Sequence, residues 1–69
     1  MFMEKYLLFA LIIGNNQILE VRQIYSFDSK ISCNTYIKEN GEPIVRGIAH
    51  MWQGQKLNAI GLYGKPKES

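Results

Sequence analysis

The chain has 69 residues, carries eight Lys and Arg against six Asp and Glu for a net charge of +2, and is 46% hydrophobic. That length holds one domain and excludes a substrate domain beside a cofactor domain, while the hydrophobic share excludes a disordered chain. The single cysteine excludes an internal disulfide framework and any multi-cysteine zinc site.

The first element is read over Glu4 to Ile13. Tyr6 to Ile13 is an unbroken apolar run of eight residues, far short of the roughly 20 that a membrane-spanning helix needs. Lys5 before this run loosely imitates a secretory signal. However, Glu4 spoils the positive leader and Gly14-Asn15-Asn16-Gln17 lacks an Ala-x-Ala cleavage pattern. The expected location is therefore cytoplasmic, in keeping with a lone thiol at Cys33. A secreted or periplasmic location is the alternative if residues 1–14 act as a signal peptide. An apolar run of this length bounded by Gly-Asn-Asn suits a strand buried on both faces.

The second element runs from Ile18 to Phe27. Leu19, Val21, Tyr25 and Phe27 share one parity, and Glu20, Arg22 and Ser26 take the other, which reads as a half-buried strand. Gly14 to Gln17 then closes an antiparallel hairpin.

From Asp28 to Gly41 the pattern supports two readings. As a helix, Asp28 or Ser29 caps the start, Lys38 sits in the last turn and Asn40-Gly41 closes it. As a strand, Ile31, Cys33, Thr35 and Ile37 alternate with polar residues, and Asn40-Gly41 is a hairpin turn. The start and stop chemistry favours the helix, which also supplies a cover for the sheet.

From Ile44 to Trp52 the chain alternates again, with Ile44, Arg46, Ile48, His50 and Trp52 on one face. Val45, Gly47, Ala49 and Met51 form the other, suited to close packing beneath a helix. Gln53-Gly54-Gln55 turns the chain, Lys56 to Tyr63 returns as a last strand, and residues 64–69 form a loose tail. The expected architecture is a single α+β domain over residues 1–63, ββαββ, with an antiparallel four-stranded sheet and one helix. A five-stranded small barrel is the alternative.

One helix covers one face of such a sheet, yet both parities of the first strand are apolar. Leaving large side chains wet forfeits roughly 1.5–3 kcal/mol each, and a contiguous patch of that kind marks a binding site. A second copy, a different protein or barrel closure would hide it; docking on a protein partner or self-association is the favoured reading. Charge sharpens the picture. Residues 43–67 carry Arg46, Lys56, Lys65 and Lys67 and no acid, a distribution that steers toward phosphate or an acidic protein surface. The expected binding residues are Ile44, Arg46, Ile48, His50 and Trp52, with Lys56 at the rim. Trp52 and Arg46 serve as anchors, because these residue types dominate binding energy once buried. The same cations and aromatics make nucleic-acid binding through Arg46, His50, Trp52 and Lys56 the alternative.

Catalytic patterns are weak. His50 is the only histidine, and no nucleophile elbow surrounds Ser26, Ser29 or Ser32. Cys33 lies amid apolar neighbours, where a thiol is packing rather than a nucleophile. The carboxylates are scattered singly and no phosphate-cradling glycine loop occurs. The chain is therefore expected to be non-enzymatic, with no cofactor and no metal. By size and composition alone it is analogous to small regulatory accessory or inhibitor proteins of the phage type.

Overall fold

Two asparagines set the first turn. Asn15 and Asn16 take φ of 53° and 62°, the left-handed pair required by a two-residue type I′ connection and tolerated best by Asn and Gly. This turn joins strand β1 (Tyr6–Gly14) to strand β2 (Gln17–Phe27), paired antiparallel, as the hairpin reading requires. The turn is also held from outside, because the Asn16 backbone N–H donates to Asn58 Oδ1 at 2.9 Å. The computed structural model of the protein describes residues 5–67, so Glu4, with the signal-peptide reading of the leader, and the last two residues of the expected tail lie outside the described residues.

Ser29 ends the hairpin and opens the helix. Its backbone is extended and its Oγ accepts from the Ser32 N–H at 3.1 Å, satisfying one of the donors that a helix start leaves orphaned. Helix α1 then runs unbroken over Lys30–Met51. The helical choice for the start of this segment therefore holds, but its expected end does not. Asn40-Gly41 is no stop, and the strand expected over residues 44–52 is the second half of the same helix. The physical reason is a stripe at helical spacing. Cys33, Ile37, Gly41, Ile44, Ile48 and Trp52 all fall on the covered side, with Lys38, Glu42, Arg46 and Ala49 exposed. Gly41 is buried with an ideal Cβ position only 3.4 Å from Leu62 Cδ1, so it lets the helix approach the sheet. Pro43 has no N–H for the Glu39 carbonyl, yet both residues are exposed, so water can take that carbonyl.

Strand β3 (Leu57–Pro66) returns along the far side of β1, giving the sheet order β2-β1-β3. Both flanking strands are antiparallel to β1 and hence parallel to each other, with α1 as the crossover between them. The expected four-stranded sheet and the barrel alternative are both corrected by this ββαβ topology: residues 44–52 went to the helix, and among the described residues no strand remains to extend or close the sheet. Gly64, Lys65 and Pro66, read as the start of a loose tail, are the last residues of β3, and the Lys67 N–H donates to the Lys5 carbonyl at 2.8 Å.

Alternation along β1 divides the sheet. Leu8, Ala10 and Ile12 are fully buried and face α1, which contributes the equally buried Cys33, while Leu7, Phe9, Leu11 and Ile13 point the opposite way and are half-buried. The molecule is thin, 47 by 25 by 14 Å, which is one helix laid on one sheet. The helix lies chiefly against β3 and reaches β2 through an aromatic cluster. Tyr36 sits 5.3 Å from Tyr25 and 5.2 Å from Phe27 between ring centroids.

Candidate functional site

The face of the sheet turned away from α1 is built from side chains paired directly across the strands. Four rows cross it. Ser26, Leu7 and Lys65 form the first, Gln23, Phe9 and Tyr63 the second, Val21, Leu11 and Gly61 the third, and Ile18, Ile13 and Ala59 the fourth. Among the described residues no element covers these rows: the helix is on the other side. Ile18 is 63% exposed, Val21 48% and Tyr63 37%. A Cβ built on Gly61 meets nothing within 4 Å, so the middle of the β3 side is open space.

Two bulges in β2 create this set. The register shifts between Leu8 and Phe9 and again between Ile12 and Ile13 leave Ile24 and Leu19 as extra residues. Strict alternation put Val21, Tyr25 and Phe27 on one face; the Ile24 bulge sends Val21 outward and keeps Tyr25 and Phe27 toward the helix. Glu20 and Arg22 also fall on the helix side, beyond the reach of α1. There Arg22 Nε lies 2.7 Å from Glu20 Oε2 as an ion pair, and that oxygen is shielded from solvent and accepts no hydrogen bond.

One end of the open face is basic. Lys65 lies with its ammonium 5.8 Å from the centroid of Phe9, which stacks on Tyr63 at 5.5 Å and 20°, a cation–π arrangement in which the stem packs along the ring. Lys5 and Lys67 flank a shallow cavity of about 160 Å³ with Leu7, Gln23 and Ser26, and Lys5 also pairs with the exposed Asp28 at 3.1 Å. The other end holds the Asn15-Asn16 turn and the exposed Lys56, which precedes the Gly14 partner Leu57.

The residues expected to bind do not share a surface. On a helix, positions four apart share a side. Ile44, Ile48 and Trp52 are half-buried on the sheet side of α1, whereas Arg46 and His50 are exposed on another side, where Arg46 pairs with Glu42. Lys56 is exposed between α1 and β3. The uncovered apolar face was legible in β1; its partners on β2 and β3 were missed. Gly61, Tyr63 and Lys65 were the available signal, as one parity of the last strand.

Other chemistry is sparse. Cys33 is fully buried, and burial pushes its thiol up from the ordinary value, keeping it protonated. Among the described residues no three His, Cys, Asp or Glu side chains gather, and no helix is long and apolar enough to cross a membrane. Comparison with protein-family models, with curated proteins and with solved structures gives no match.

Proposed function

We propose that this protein is a non-enzymatic interaction module that docks on another protein chain through the open face of its sheet. The observation that carries this reading is the set of four uncovered rows, apolar at their centre on Leu7, Phe9, Leu11 and Ile13 and basic at one end. A sheet this apolar on its outer side sits at odds with the polar outer face that antiparallel sheets normally turn to water. The flat, strand-supported surface suits a protein better than a small molecule, which prefers a concave, enclosed site. Aliphatic side chains outnumber aromatic ones in these rows, so they offer few platforms for stacking bases.

An anionic apolar dye, 1-anilinonaphthalene-8-sulfonate, tests the reading in dilute solution. The dye gains fluorescence on the native chain. Gly61→Glu, which sets a charge midway along the β3 side of the face, removes most of that gain, while Gly47→Glu, at an equally open position on α1, leaves it. Equal loss from both variants, or no gain on the native chain, contradicts the proposal.

A further inference from the structure

We infer that the chain docked on this face is a second copy of the same protein, seated face to face with its strands running in the opposite direction. This rests on the docking reading above and adds the identity and orientation of the occupant. Size is the first argument. The face spans nine residues of β1 and three strands, roughly 30 by 14 Å at about 3.3 Å per residue and 4.8 Å per strand. Two such faces brought together remove on the order of 1,000 Å² from water, the threshold for a specific interface.

Self-complementarity is the second. A two-fold axis lying in the plane of the interface, perpendicular to the strands, between the Phe9 and Leu11 rows, sets each strand over its own copy with the direction reversed. On β3 the outward residues run Lys65, Tyr63, Gly61, Ala59, two large and then two small. Reversal places Tyr63 over the second copy's vacant Gly61 position, and Lys65 over its Ala59. Along β1 the sequence Leu7, Phe9, Leu11, Ile13 is uniformly large and apolar, so it meets itself equally well reversed.

Charge is the third, and it agrees. Reversal lays the end carrying Lys5, Lys65 and Lys67 over the Asn15-Asn16 end of the other copy, which carries Lys56, rather than over a second end with three lysines. An axis parallel to the strands instead stacks both lysine ends together, which like-charge repulsion opposes. Size and charge thus select one arrangement.

Sedimentation velocity on the full chain, from micromolar to millimolar concentration, with the dye measured in parallel, tests the inference. The expected result is a mass that climbs from 8.0 kDa to twice that value while dye fluorescence per chain falls. Gly61→Glu weakens self-association more than about a hundredfold by burying an unpaired charge; should it fail to fold, Val21→Lys on the half-exposed edge serves in its place. A nitroxide at Gln17 in a Cys33→Ala background reads the orientation, with about 30 Å between labels expected from the strand rise. Labels near 10 Å overturn the reversed arrangement. A single-chain mass throughout, with dye still bound, overturns the second copy and leaves the docking face to another occupant. Displacement of that dye by a single-stranded oligonucleotide at low salt identifies the occupant as nucleic acid. A single-chain mass without dye binding overturns both readings.

Discussion

At the residue scale, two glycines on the same strand make opposite demands. Gly64 faces the helix, and an ideal Cβ there would lie 2.7 Å from Tyr6 Cε2 and 2.8 Å from Cys33 Sγ. The buried thiol and the Tyr6 ring therefore occupy the space that a side chain would fill, and they are hemmed in by the close-packed helix layer. Gly61 faces outward into open space. Gly64→Ala is accordingly expected to cost about 1–3 kcal/mol through overpacking, whereas Gly61→Ala, measured in dilute solution, gains roughly 0.5 kcal/mol by relieving the entropy of a strand glycine. Urea midpoints of the two variants check this. Equal midpoints contradict the assignment of the two faces of β3.

At the scale of elements, the decisive fact is that a helix of 22 residues passes through Asn40, Gly41 and Pro43 without stopping. Local chemistry argues for an end there, since Gly and Pro in a helix interior cost about 1 and 3 kcal/mol. Tertiary packing overrides it. Gly41 is where α1 comes closest to Leu62, and the covered stripe resumes in phase at Ile44 and Ile48. Because Pro43 is exposed, Pro43→Ala restores a helix hydrogen bond without disturbing packing and is expected to stabilise the protein by roughly 1–2 kcal/mol, the helix gain less the entropy returned to the unfolded chain. Thermal unfolding measures it; an unchanged or lower midpoint contradicts a continuous helix. The sequence was legible where signals were local and unopposed: the β1–β2 hairpin at Asn15-Asn16, the Ser29 cap, and the doubly apolar β1. It misled from Ile44 to Trp52, where residues at every second position are spaced equally well for a strand and two breakers stand just upstream. The β2 bulges at Leu19 and Ile24 leave no mark in the pattern at all, and they decide which side Val21 takes. The apolar face was therefore anticipated from β1 while its other columns were assigned to residues now divided between two sides of α1.

At the scale of the whole molecule, one layer of helix on one layer of sheet gives a small interior. Leu8, Ala10, Ile12 and Cys33 are the buried hydrophobic residues among those described, and a chain of this length has little further surface to hide. Pairing two sheets through their open faces adds a second apolar layer at the usual spacing of about 10 Å and converts β1 from a strand with one buried side into one with two. Under the proposed pairing both sides of β1 are buried, in keeping with outward residues as apolar as its inward ones. The most direct measurement is a dilution series of amide spectra by NMR on the full-length chain. The account predicts that shifts from millimolar to micromolar concentration concentrate on Leu7, Phe9, Leu11, Ile13, Val21, Gly61 and Tyr63, with Ile31, Arg46 and Gly47 on α1 unmoved. Spectra that do not change with concentration, or changes centred on the outer side of α1, would contradict it.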